Sequence, residues 1–305
     1  MKIPIIAGAT AIGKTEICVQ LAKKLNVEII SVDSRQIYRY MDIGTAKPSL
    51  GERREVPHHL IDILDPDKDY NAYRYRIDAL KKVDEILRRG KFPLLVGGTG
   101  LYVDVIMRGI FEGAPKSDRI RSKLRKFEER SPGSLRRMLE EVDPESAEKI
   151  HPNDMKRTIR ALEVYFTTGR RISELKKLTE GDERFYLIIF ERDRHELYDR
   201  INQRTELMIK KGFIDEVKSL LDMGYHKELN SLKTIGYREC VEYLEGKITM
   251  DEMIHLIKRN TRHFARRQII WFRRYNDAIR LNLTGKKISE IVTKLVAIIN
   301  SRMGG

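Results

Sequence analysis

An apolar hexapeptide, IPIIAG, opens the chain, and apolar runs return as VEIISVD at 27–33, FPLLVGG at 92–98 and RFYLIIF at 184–190. Between the first three lie amphipathic stretches with apolar residues every three to four positions, Lys14 to Leu25 and Ala72 to Arg89, with another from about Leu101. Uninterrupted apolar runs predict strands buried on both faces. Their alternation with helices predicts an α/β fold, a parallel sheet with helices on both faces. After Gly113 the pattern changes: residues 114–183 keep a helical period, carry many charges and are broken at Pro132–Gly133, Pro144 and Pro152. The expected organisation is therefore a core of 1–113 and 184–305 with an all-helical insertion, 114–183. Further helices are expected at about 194–211, 213–223, 236–245, 250–275 and 287–301.

Charge changes the picture most. The 305 residues include 59 Lys and Arg against 45 Asp and Glu, a balance of +14, which favours a polyanion partner such as nucleic acid. Cys18 and Cys240 form no metal-type spacing and fit a reducing compartment, with Cys18 expected in the core. No secretory leader pattern precedes the first strand, and no apolar run approaches the roughly 18 residues of a membrane span, so a cytoplasmic location is expected.

Candidate chemistry gathers at the carboxyl ends of the expected strands, where such sheets bind ligands. GATAIGKT, formed by Gly8, Ala9, Thr10, Ala11, Ile12, Gly13, Lys14 and Thr15, matches the phosphate-cradling pattern G-x-x-x-x-G-K-[ST] between a strand and a helix. Its amides and helix N-terminus suit a phosphate, Lys14 adds a charge and Thr15 suits Mg²⁺. Asp33 ends the second strand, and its position fits either a Mg²⁺ carboxylate or a group facing an acceptor and taking its proton; both readings stay open. Thr99, in the turn of LLVGGTGLY, is placed to bond a phosphate or an incoming amine. His58 and His59 are expected on a surface loop. Basic residues recur at helical spacing in KRTIRALEV (Lys156, Arg157, Arg160) and RNTRHFARRQIIWFRR (Arg259, Arg262, Arg266, Arg273), which with the net charge favours RNA backbone contacts. Trp271 on its own reads as core.

Together, GATAIGKT, DSRQIYRYMDIGTAKP, PHHLID, LLVGGTGLY, RTIRALEV, RINQRTELM, TIGYRE and ARRQIIWFRR resemble the bacterial tRNA dimethylallyltransferases, also called tRNA isopentenyltransferases, over nearly the whole chain. Two departures are visible, Ala9 where the family usually has Pro and Ile270 where Thr usually precedes the Trp. The resemblance implies a P-loop core with a helical insertion that grips the tRNA anticodon arm. It also implies a reaction in which the loop holds dimethylallyl diphosphate and no γ-phosphoryl group moves. The acceptor would be the exocyclic amine of the adenine 3′ of the anticodon in tRNAs reading codons that begin with U. Mg²⁺ on Thr15, Lys14 and Arg204 would take the leaving charge, Asp33 the amine proton, and Thr99 would place the reacting groups. The tRNA-facing residues implied are Asp33, Ser34, Arg35, Gln36, Thr99, Arg121, Lys156, Arg157, Arg160, Lys233, Gly236, Tyr237, Arg238, Arg266, Arg267, Gln268, Trp271 and Arg273, on a protein expected to be a monomer. The competing readings are an isopentenyltransferase for free adenine nucleotides, a P-loop small-molecule kinase and a non-catalytic RNA-binding protein.

Overall fold

The computed structural model describes residues 2–112 and 116–303, apart from the Met303 side chain. The chain divides into two compact units, 1–107 with 182–305, and 108–181. The break expected at Gly113–Ala114 falls outside the described residues.

In the first unit the elements run β1 (Ile3–Gly8), α1 (Lys14–Leu25), β2 (Val27–Val32), α2 (Leu50–Glu55), β3 (His58–His59), α3 (Ala72–Arg88), β4 (Phe92–Gly97) and α4 (Gly100–Arg108), whose last residue begins the second unit. The second unit holds α5 (Asp118–Arg130), α6 (Ser134–Val142), α7 (Pro144–Lys149), α8 (Met155–Thr168) and α9 (Ile172–Lys177). The chain returns to the first unit with β5 (Phe185–Glu191), α10 (Arg194–Lys210), α11 (Phe213–Asp222), α12 (Tyr237–Leu244), α13 (Met250–Phe272), β6 (Ile279–Asn282) and α14 (Ile288–Met303).

The six strands form one parallel sheet in the order β3-β2-β4-β1-β5-β6. All residues of β1 and β2 are buried, as their unbroken apolar runs require. Ile6, Leu94 and Ile188 belong to a core cluster with α1 (Cys18, Leu21) and α14 (Val292, Leu295, Ile299). Helix α3 packs on β2 and β4, burying Tyr75 and Val83, and the Tyr75 hydroxyl donates to the Ser31 carbonyl at 3.2 Å. Gly97 is required where β4 meets β2, because a Cβ there would run into the Val32 carbonyl.

Two strands depart from the sequence expectation. His58 and His59 are not surface loop; they form the edge strand β3, paired with Ile29 and Ile30, and His59 Nε2 lies 2.6 Å from the carboxylate of Glu28. β6 was not foreseen: its four residues, IRLN, bury only Leu281 fully. The expected helix 250–275 also stops sooner, at Phe272.

A second core, formed by α11, α12 and α13 with Ile37, Tyr38 and Met41, supports the MDIGTAKP segment. Glu216 on α11 accepts the N–H groups of Asp42, Ile43 and Gly44 at 2.8, 2.7 and 3.1 Å, and the Tyr237 hydroxyl at 2.6 Å. Gly44 lies against Phe213 and Tyr237 so closely that no Cβ fits. This motif is a scaffold for the segment beside Asp33.

Candidate active site and basic faces

Residues 8–15 form a sharp strand-to-helix turn, with Ala11 and Gly13 at positive φ (61° and 106°). Gly13 is the N-cap of α1 and supplies no capping side chain, so the first-turn amides stay open to an anion. The loop carbonyls are held by cations instead. Arg200 Nε donates to Ala11 at 2.9 Å, Arg192 Nε to Ile12 at 3.3 Å, and Lys14 Nζ to Gly8 and Ala9 at 2.9 and 2.8 Å. Arg204 donates to the Thr10 hydroxyl at 2.8 Å. Such a turn, with its first-helical-turn amides uncapped and its carbonyls tied back, suits a polyanion.

Burial shows in the acidities of these cations. Lys14 keeps some exposed surface but is densely surrounded, and burial draws its ammonium down to about 8, with Asp33 opposing and Arg204 assisting. Burial likewise draws Arg204 down to about 10, Asp33 opposing and Arg200 assisting. Both cations thus sit in surroundings that favour their neutral forms, and an anion beside them would favour the charged ones.

Asp33 follows β2 directly. Its Oδ1 accepts the N–H groups of Arg35 (2.8 Å) and Gln36 (3.4 Å), a local turn that fixes the carboxylate. Thr99 follows β4, and its hydroxyl accepts the Ser34 N–H at 3.0 Å. The amides of Gly98 and Thr99 both donate to Val32, at 3.2 and 3.1 Å, so adjacent strand ends bring Asp33, Ser34 and Thr99 together. Gln36 accepts from the Ser31 hydroxyl at 3.0 Å and donates to Ala46 at 3.3 Å.

Two cavities meet at Asp33. An open cleft of about 540 Å³ is lined by the loop from Thr10 to Glu16 with Arg200 and Arg204. A second cavity, of about 320 Å³, is lined by Ser34, Arg35, Thr99, Lys233, Phe264 and Arg267 among others. Asp33, Thr10, Arg204, Phe264 and Gln268 border both. One side suits a diphosphate and the other a cation-lined acceptor.

The remaining expected residues are distributed unevenly. Lys233, Arg238, Arg266, Arg267 and Arg273 are exposed, but Arg273 lines a different cavity, beside β5 and β6. Three residues expected to face tRNA are buried and engaged within the protein. Tyr237 is wholly buried and spends its hydroxyl on Glu216; Gly236, at φ 96°, is buried and donates its N–H to Glu239 at 2.7 Å. Gln268 is 7% exposed; its Oε1 accepts the Thr10 N–H at 2.8 Å and its Nε2 donates to Gly98 at 2.7 Å. It ties α13 to the phosphate loop and to the turn after β4. Trp271 is half-buried against Gly100, with Arg274 3.8 Å above its ring. Arg192, Arg200 and Gln268 were missed as loop supports. The four-residue spacing of Arg200 and Arg204 on one helix face was the available signal for Arg200.

In the second unit Lys156 and Arg157 are exposed at the start of α8. Arg121 and Arg160 are committed to the buried Glu163, which accepts from Arg121 at 2.8 and 2.9 Å and from Arg160 at 2.7 Å. Burial opposes charge on Glu163, but the bonds from Arg121, Arg160 and the Ser117 amide outweigh it and hold the carboxyl at about 2. Among the described residues no group of three or more His, Cys, Asp or Glu is placed to hold a metal, and no helix is long and apolar enough to cross a membrane.

The IPP transferase family model matches residues 36–275, and the isopentenyl transferase model matches residues 1–58. A tRNA dimethylallyltransferase of Thermotoga petrophila is 62% identical over 299 residues, covering 98% of each chain. One of Kosmotoga olearia is 53% identical over 305 residues, covering 100% of this chain and 99% of the relative. Among solved structures, the full-length tRNA isopentenylpyrophosphate transferase of Bacillus halodurans is 39% identical with a TM-score of 0.75, covering 99% of this chain and 97% of that one. A eukaryotic dimethylallyltransferase acting on tRNA is 28% identical with a TM-score of 0.87, covering 99% of this chain and 79% of that one.

Proposed function

This chain belongs to the IPP transferase family, and from that premise we propose that it transfers the dimethylallyl group of dimethylallyl diphosphate to a tRNA adenine. The acceptor is the exocyclic amine of the adenine 3′ of the anticodon, in tRNAs reading codons that begin with U. The observation that carries the reading is the meeting of the two cavities at Asp33. A diphosphate on the loop would present its alkyl carbon where an amine entering from the other side arrives.

An aromatic amine is a weak nucleophile, and diphosphate leaves readily only when its charge is met by preorganised donors. The amides at the start of α1, Lys14 and Arg204 meet that charge as the carbon–oxygen bond breaks. The new carbon–nitrogen bond makes the amine more acidic, and Asp33 takes its proton; Thr99 and Ser34 hold the turn that aims the carboxylate. The adenine leaves its stack to reach this edge, as other enzymes acting on bases require. Mg²⁺ fits the cleft: the Thr15 hydroxyl borders it beside the phosphate loop, and this ion favours a few protein oxygens with substrate phosphates and water. When bound it would neutralise diphosphate charge. Lys156, Arg157, Arg266 and Arg267 are the exposed cations suited to the tRNA backbone.

The test is nucleoside mass spectrometry of undermodified tRNA incubated with the protein, Mg²⁺ and dimethylallyl diphosphate. N6-(dimethylallyl)adenosine is expected 3′ of the anticodon. Transfer to free AMP but not to tRNA would refute the assignment.

A further inference from the structure

Phe264 is 38% exposed although it stands at the centre of the site, bordering both cavities. An aromatic ring left open there forgoes burial that the core would otherwise supply. Arg267, three residues on along α13, places its guanidinium carbon 5.8 Å from the ring centroid. Thr234 lines the same acceptor-side cavity, and its hydroxyl is buried with no hydrogen-bond partner among the described residues. A buried hydroxyl without a partner is costly, and points to a ligand atom that completes it. An isoprenoid tail offers no such atom. A purine offers a π face for Phe264 and ring nitrogens for Thr234.

We propose that Phe264 is the surface on which the flipped adenine stacks, with Arg267 beside the ring and the Thr234 hydroxyl bonding a ring nitrogen. Phe264 and Thr234 then set the angle at which the amine meets the alkyl carbon. The inference rests on the proposed tRNA reading, and its test separates the two.

The probe is an anticodon stem–loop carrying 2-aminopurine at the acceptor position; it lacks the reacting amine and loses fluorescence when stacked. Bound to the unaltered protein it should stay dim. With Phe264→Leu, apolar but without a π face, it should brighten several-fold, and Phe264→Tyr should restore the dim state. For the natural stem–loop, Phe264→Ala should lower kcat/KM by roughly 5- to 150-fold, the range base–aromatic stacking contributes. Dimethylallyl diphosphate affinity by calorimetry should hold, and Thr234→Val should be slower than Thr234→Ser. Equal fluorescence with Phe and Leu, or a loss confined to dimethylallyl diphosphate affinity, would overturn the inference while the unaltered protein still alkylates tRNA. Failure of the unaltered protein to alkylate tRNA would overturn both.

Discussion

Lys14 is the residue at which the site's charge is easiest to read from outside. Burial lowers its pKa to about 8, so the free protein releases this proton as pH rises through about 8. A bound diphosphate favours the ammonium and raises the pKa again. Above pH 8 binding should therefore take up protons, with little uptake at pH 7, where Lys14 is already charged. Calorimetry in buffers of different ionisation enthalpy measures this, and Lys14→Met should remove the uptake. Asp33 is distinguished by a different readout. As the base, Asp33→Asn should leave dimethylallyl diphosphate binding with Mg²⁺ near normal and slow single turnover at least about 100-fold. Weakened Mg²⁺-dependent binding with normal saturated turnover would assign it to the metal instead. Both residues were legible in the sequence, because a phosphate loop and a strand-ending carboxylate are local patterns. Gln268 was not: its role consists of two hydrogen bonds to residues 258 and 170 positions away, and nothing local marks it.

At the scale of elements, the long strands and the helices between them were legible, since full burial imposes a continuous apolar run. The pairs at the sheet edges were not. A two-residue strand such as β3 has no period to detect, and β6 is held by pairing with β5 while burying little of its own. Helix α13 joins these levels, carrying exposed arginines outward and Gln268 inward. Gln268→Leu would strand the Thr10 N–H and the Gly98 carbonyl, each at about 1–3 kcal/mol if left unpaired. The thermal midpoint should fall by several degrees and dimethylallyl diphosphate affinity should drop; unchanged values for both would show that the tie is incidental.

At the scale of the molecule, the basic surface should make tRNA binding steeply salt-dependent. Neutralising Lys156, Arg157, Arg266 or Arg267 should each flatten the log–log salt slope by roughly 0.7 to 0.9. Arg121 and Arg160 belong to a separate class, because removing either exposes the buried Glu163 charge to an incomplete set of partners. Their substitution should destabilise the second unit before it reports on RNA. Replacing that unit by a short linker should abolish tRNA binding and spare dimethylallyl diphosphate binding. Loss of both would mean that the first unit depends on it.

The central strand β1 pairs with β4 on one side and β5 on the other, and the whole second unit is encoded between those two partners. On the ribosome, β5 emerges about 90 residues after β4, a delay on the order of 4 to 18 s at ordinary elongation rates. Throughout that interval the growing chain presents an unpaired, wholly apolar strand edge, the feature that most readily recruits a second chain. Nascent chains halted near residue 180 should therefore bind chaperones or aggregate, and those extended past β6 should not. The insertion that enlarges the folded protein also sets the period of its greatest vulnerability during synthesis.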